Sequence, residues 1–372
     1  MSPSVAQIPN LGPLRARSRA LSTAWLTAVL LLPLLADCAG PPAPRPTPSR
    51  ERSPTIVFAG DILLAGRAER LIAEKGPSAP FADVSAVLAE ADLAVGNLEC
   101  SLSMRGTAAD KKFTFRVNPK TVAALSEAGF DVVTLANNHA VDYGQAALSD
   151  TIGAVTDAGI AVVGAGEDAA SARQPVILEA GDPPVRIALL GFSNMQPTSF
   201  YAGRNRAGTN PAHPDAIREC ISAAGRQADV VVALFHWGDE RSSSPSASQR
   251  QLAYLAADAG ADLIIGGHPH VLQGFERRGH SLIAYSMGNF LFPSRGECRT
   301  TMMLRYTPQR DGRARVEAIP CVIDGFQPRL ADEKERAKCL SRLRKLSAPL
   351  GEELLDAGGR IALPPRSGSG ST

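Results

Sequence analysis

Residues 230–236 read VVVALFH, six apolar residues that end on His236. Three successive valines favour a pleated backbone, and an unbroken apolar run of this length suits a strand covered on both faces. The polar residue at its carboxyl end is then the feature that needs explaining. The same layout occurs four more times. Thr55 to Ala59 runs into Gly60-Asp61, and Asp92 to Val95 runs into Gly96-Asn97-Leu98-Glu99. Val132 to Leu135 runs into Asn137-Asn138-His139, and Leu263 to Ile265 into Gly267-His268-Pro269-His270. In an open α/β sheet, sites form outside the carboxyl ends of the strands. Five such ends would bring Asp, Glu, Asn and His to one crevice. Hard oxygen and imidazole donors of this kind suit Mn, Zn, Fe or Mg rather than soft copper.

Helical patterns separate these runs. Val84 to Ala91, Pro119 to Ala128 and Gly144 to Ala158 read as helices. Pro211 to Gln227 reads as another, with Asn210 as its cap and Pro211 in first position; Ser246 to Ala259 is closed by Gly260. Alternation of this kind gives a mostly parallel sheet flanked by helices. Beyond His270 the pattern changes to short strands, 275–277, 282–286, 300–306 and 314–319, with no helices between them. They read as antiparallel hairpins that close a second sheet or extend the edge of the first. A charged helix follows at Ala331 to Leu346. Its charges are most simply a solvated face.

Composition is that of an ordinary globular chain. Of 372 residues, 44% are hydrophobic and 20% charged, and 39 basic residues nearly balance 37 acidic ones. No basic stripe interleaved with aromatics argues for nucleic acid, so none is expected as a partner.

The first 54 residues stand apart from the fold. Arg15, Arg17 and Arg19 precede an apolar stretch, Ala20 to Leu35, in the pattern of an export signal. Leu35-Ala36-Asp37-Cys38 resembles a bacterial lipobox, with Asp37 where a small residue is usual. Residues 1–37 are thus expected to be the signal. Residues 38–54 would be the lipidation site (Cys38) and a proline-rich, extended spacer. The alternatives are an ordinary cleaved signal or an uncleaved anchor. The expected location is the outer face of the cell membrane as a lipoprotein, or secreted. The folded domain is expected over 55–348 and a C-terminal tail over 349–372, its end disordered. Cys298 and Cys321 flank the hairpin near Asp311-Gly312 and could face each other across it, which leaves a disulfide or two free thiols open. Cys100 and Cys220 read as small buried hydrophobes.

In order and spacing, six segments resemble one family. They are Gly60-Asp61-Ile62-Leu63-Leu64, Gly96-Asn97-Leu98-Glu99, Leu135 to Gly144 (LANNHAVDYG), His236-Trp237-Gly238-Asp239-Glu240, Gly266 to Gln273 (GGHPHVLQ) and Tyr285 to Phe290 (YSMGNF). The chain resembles the bacterial capsule-synthesis family typified by the poly-γ-glutamate biosynthesis protein CapA. That family is itself similar to calcineurin-like metallophosphoesterases. The resemblance implies an α/β fold, a metallophosphoesterase-like sandwich of two mixed β-sheets flanked by helices in four layers (αββα). It implies metal ligands at Asp61, Asn138, His236, His268 and His270, with Asn97 or Glu99 where that core has a bridging aspartate. His139 would match the residue that protonates a leaving group, and Asp142 would orient it. Arg67 and Asn289 are candidates for holding substrate, with loop support as the alternative for Asn289. Leu63 stands where the superfamily has a ligand histidine and Asn97 where it has an aspartate, so one or two divalent ions are expected. The implied partners are an anionic polymer or a phosphorylated small substrate, the membrane through a lipid anchor, and membrane proteins of capsule synthesis. The implied activity is metal-assisted hydrolysis, with non-catalytic polymer handling as its rival. His268 and His270, two residues apart, would face the same way on an extended segment. His213 and His280 read as solvated, and Asn137 as a loop-shaping residue.

Overall fold

Five parallel strands carry the candidate ligands: β1 (Ile56–Ile62), β2 (Leu93–Leu98), β3 (Val132–Thr134), β4 (Val230–His236) and β5 (Leu263–Gly267). The computed structural model describes residues 52–195, 197–309, 311–356 and 361–363. The expected signal, Cys38 and most of the spacer lie outside the described residues, as does the end of the tail. Strands β1, β2 and β3 pair in that order, followed by Ala161–Val163, all parallel. On the other side of β1 the sheet continues antiparallel through Thr300–Pro308 and Ala314–Asp324. Strands β4 and β5 lie side by side in a second sheet. It runs from the hairpin Phe275–Arg278/Ser281–Ala284 through β5, β4 and Val185–Ser193 to Val176–Ala180. The late hairpins therefore do both things the sequence allowed: one extends each sheet.

The unbroken apolar runs are explained by two covered faces. Ile56, Phe58, Val95 and Val132 from the first sheet meet Leu189, Val232, Leu234 and Ile265 from the second in one core layer. The alternate residues Val57, Ala94 and Val133 face the other way, towards Leu148 and Val155 of helix Gln145–Asp157. In the second sheet Val231, Ala233 and Phe235 face helices Pro214–Gly225 and Ala247–Asp258. The period-two alternation of a strand thus supplies two cores per sheet, and the result is the four-layer αββα arrangement. Helix Glu333–Ser347 adds Cys339, Leu340 and Leu343 to the inter-sheet core. Burying a side chain such as Leu343 stabilises by about 1.5–3 kcal/mol.

Several details differ from the sequence reading. Helix Pro214–Gly225 starts later than expected: Pro214 takes the first turn and His213 the cap position, while Asn210 is buried and donates from Nδ2 to the Gly191 carbonyl at 2.9 Å. Of the two states left open for Cys298 and Cys321, the structure has free thiols. Cys321 stands opposite Thr301 in the strand pair, Cys298 sits in the turn Gly296–Arg299, and both are free thiols. Cys100 is buried but Cys220 is only half-buried. The spacer's last residues are fastened down. Arg52 bridges to Asp182 through the backbone and binds both Asp92 carboxylate oxygens at 2.7 Å. The first sheet also reaches past residue 348, because Ile361–Leu363 pairs with Ala314–Asp324. Among the described residues no helix is long and apolar enough to cross a membrane.

Candidate metal centre

Strand register brings the ligands together. Asp61 on β1 is the parallel neighbour of Asn97 on β2, and His236 at the end of β4 is the neighbour of Gly267 on β5. Both sheets end at the same place, so residues far apart in the chain meet there. Glu99 and Asp61 are fully buried and His236 is nearly so. One donor atom from each of Asp61, Glu99 and His236 lies within 4.8 Å of the other two. Further contacts extend the set. His236 Nε2 lies 2.9 Å from Asn138 Oδ1 and 3.5 Å from Glu99 Oε1. His270 Nδ1 lies 3.2 Å from Asp61 Oδ2, and the rings of His236 and His268 are 4.9 Å apart. Two donors bound about 2.1 Å from one ion lie about 3.0–3.4 Å apart, so these separations fit a shared cation. Glu99 Oε2 and His268 Nδ1 are buried without a hydrogen-bond partner. Such orphaned groups are costly unless something else satisfies them, and a cation held by Asp61, Glu99 and His236 would satisfy the Glu99 oxygen. The residues therefore fit a divalent ion.

The backbone here is not the extended segment expected from the spacing of His268 and His270. Both have positive φ, 94° and 58°, a conformation that costs side-chain-bearing residues of order 1–3 kcal/mol each. The turn aims the two residues differently from a strand: His268 donates its backbone N–H to Asp61 Oδ2 at 3.3 Å, while His270 reaches the same carboxylate with its ring. Gly267, just before, allows the close approach. A Cβ there would come within 2.7 Å of Asp61 Oδ1.

Charges sort unequally over the cluster. Burial pushes the Asp61 carboxyl up, but the hydrogen bond and charge of His270 outweigh it and hold Asp61 below the usual carboxylate range. Burial, reinforced by the Asp61 charge, raises Glu99 well above its ordinary value. Of the two carboxyls, Asp61 thus holds its charge more readily than Glu99 in the metal-free chain. Burial and the neighbouring His268 push His236 well down, and burial with His270 lowers His268 to about 4. His270 is lowered by burial but raised more by Asp61 and Glu99, and sits at about 9.

Beside this set lies a second one. His139 Nδ1 is 2.8 Å from Asp142 Oδ2, and Asp142 is fully buried. Burial lowers the His139 pKa against the pull of Asp142, so the ring is neutral at pH 7, with its proton on Nδ1 and a lone pair on Nε2. Lys111 completes the arrangement. Its ammonium donates to Asp142 Oδ1 at 2.7 Å and to the Asn138 carbonyl, and lies against the Phe200 ring. Lys111 comes from the irregular segment between Leu102 and Arg116, which gives no periodic signal, so sequence reading missed it.

Three expected site residues make contacts of other kinds. Asn97 does not offer its oxygen to the cluster; that atom accepts from Asn137 Nδ2 at 2.9 Å. Arg67 is exposed and packs its guanidinium over Phe326, 4.8 Å from the ring centroid. Asn289 is buried and fully engaged: Oδ1 lies 2.7 Å from His270 Nδ1 and Nδ2 donates to Ser294 at 2.8 Å, so it supports His270. His213 is exposed, as expected, and the His280 side chain is 56% exposed.

A four-layer α/β sandwich with a buried carboxylate–imidazole cluster at the converging strand ends is the class of protein that fold and site define. Residues 55–294 match the model of the family described as bacterial capsule synthesis protein PGA_cap. The chain belongs to that family. It is 35% identical over 275 residues to the PGA biosynthesis protein CapA of Bacillus subtilis (strain 168), covering 73% of this chain and 72% of the relative. It is also 35% identical over 285 residues to the capsule biosynthesis protein CapA of Bacillus anthracis, covering 74% of this chain and 69% of the relative. Among solved structures it is similar to the NAD nucleotidase of Haemophilus influenzae, with a TM-score of 0.47 and 14% identity, covering 80% of this chain and 63% of that chain.

Proposed function

We propose that this protein is an exported, metal-dependent, phosphoesterase-like hydrolase that serves the synthesis or export of a poly-γ-glutamate capsule. The capsule role rests on family membership and on the two CapA relatives. The chemistry rests on one observation: Asp61, Glu99 and His236, from three separate strand ends, meet in a buried cluster of one-ion size. Asn138, His268 and His270 would complete the ligand set. A divalent ion held there (Mn, Zn, Fe or Mg) would polarise a phosphoryl oxygen and make a nearby water more acidic. The chain's own residues manage the proton. His139 Nε2 carries the ring's lone pair, because Nδ1–H is held by Asp142; it lies 3.4 Å from Asn138 Nδ2, a long contact that a substrate proton would replace, and Lys111 neutralises the other Asp142 oxygen. A neutral His139 must take up a proton before it can give one to a leaving group. That reverses the order implied by treating it simply as an acid.

The substrate class is a phosphorylated small molecule or an anionic polymer. Export and a lipid anchor at Cys38 are part of the same proposal and rest on residues 15–38 alone. A second reading, a polymer-handling or anchoring protein with a structural metal, is favoured by Leu63 and Asn97, which stand where two metal ligands would be expected. The test is elemental analysis of the purified full chain, together with hydrolysis of p-nitrophenyl phosphate and bis(p-nitrophenyl) phosphate. Bound metal with turnover supports the enzyme. Bound metal without turnover, on these and on polymer, supports the second reading. A chain that binds no metal overturns both.

A further inference from the structure

The orientation of Asn97 is fixed by a chain of hydrogen bonds whose ends are unambiguous. The backbone N–H of His139 can only donate, and it does so to Asn137 Oδ1 at 3.0 Å. The other terminus of Asn137 is therefore its NH2 group. That group donates to the Leu98 carbonyl at 2.8 Å, which can only accept, and to Asn97 Oδ1 at 2.9 Å. The remaining terminus of Asn97 is then also an NH2. It points into the ligand cluster and donates to Asp61 Oδ1 at 2.8 Å and Glu99 Oε1 at 2.9 Å. The same nitrogen lies 3.2 Å from His236 Nδ1, so its two hydrogens are shared among three cluster groups, and it has no lone pair to offer a cation.

We propose that this site holds one divalent ion and that Asn97 is the residue that excludes a second. The inference rests on the metal-binding reading above and adds the ion count. Hydrolytic centres with two ions keep them about 3.5–4 Å apart. Two dications so close need anionic donors between them. Here the place between Asp61 and Glu99 is filled by a hydrogen-bond donor, which attracts the two carboxylates and repels a cation. Each carboxylate spends one oxygen on Asn97 and keeps one: Asp61 Oδ2, which faces His270, and Glu99 Oε2, which is buried without a partner. One oxygen of each carboxylate thus remains for a cation, Asp61 Oδ2 also accepting the His268 backbone N–H at 3.3 Å, and two ionised carboxylates balance one dication. A second would leave an uncompensated double charge in a buried site, the arrangement interiors tolerate least.

The experiment uses the full chain, stripped with chelator and titrated separately with Zn2+ and Mn2+ by calorimetry, with elemental analysis after dialysis. The expected result is one ion per wild-type chain, and two per chain for Asn97→Asp at the same free metal. Two ions in the wild type would overturn the ion count while leaving the metal-binding reading intact. No ion in the wild type would overturn both. One ion in both proteins would remove Asn97 as the cause. Should Asn97→Asp fail to fold, anomalous scattering at the wild-type site decides alone, with one peak expected and two fatal to the proposal.

Discussion

The pair His270–Asp61 should make the stability of the metal-free chain depend on pH in a direction opposite to metal affinity. His270 titrates at about 9 in the folded chain and at about 6.5 when unfolded. A histidine raised on folding stabilises the fold fully below its unfolded pKa, and that contribution is lost as pH rises through the folded pKa. The difference of about 2.5 units, at 1.36 kcal/mol each, is about 3 kcal/mol. The side chain is 16% exposed, so solvent screens little of it. The assay is urea unfolding of the chelator-treated chain between pH 6 and pH 10, wild type against His270→Gln. The wild type should lose about 3 kcal/mol relative to the variant between pH 6.5 and pH 9.5, spread almost evenly across that window. Adding Zn2+ should invert the trend. Binding must displace a proton from His270, so affinity climbs with pH. A difference between the two proteins that stays constant across this range would refute the assignment of a charged His270 to the Asp61 carboxylate.

Acid should act through a different histidine. His268 sits near 4 in the folded chain, so the unfolded chain binds its proton first and stability falls as pH drops from about 6.5 towards 4; His268→Gln should flatten that limb of a denaturation series. His139→Ala should lower turnover of phosphate esters by about 10²–10⁴-fold with metal content unchanged, measured by steady-state kinetics beside elemental analysis. Leu343→Ala, at a fully buried position in the inter-sheet core, should cost about 2–5 kcal/mol in urea unfolding without altering metal stoichiometry.

Much of the scaffold was legible because the strands are apolar on both faces. VVVALFH and its four counterparts could only be buried strands, and each carried its polar residue at the same end. Short or weakly patterned pieces were not legible. Strand Asn289–Leu291 pairs with β1 at Asp61 and is three residues long, too short for a period to show. The pairing of Ile361–Leu363 with Ala314–Asp324 lay in a stretch that reads as tail. The cap of helix Pro214–Gly225 was misplaced because Asn210-Pro211 is the better start by local rules, but Asn210 is taken by a bond to Gly191 on another strand and the helix begins at Pro214. His268 and His270 were read as extended because a proline between them favours that locally. Bonds from the turn to Asp61 overrule the preference.

The amino-acid sequence by itself determined which chemistry is present: carboxylates, amides and imidazoles at the ends of buried strands, since side-chain type and period-two burial are local properties. Only the tertiary structure decided what each donor faces. Asn97 and Asn138 are the same residue at similar strand ends. One is turned by Asn137 to give its hydrogens to two carboxylates, and the other gives its oxygen to His236. Lys111 reaches Asp142 from a segment with no pattern at all. Hydrogen-bond direction depends on neighbours that the chain supplies from distant positions, so it exists only once the two sheets have packed.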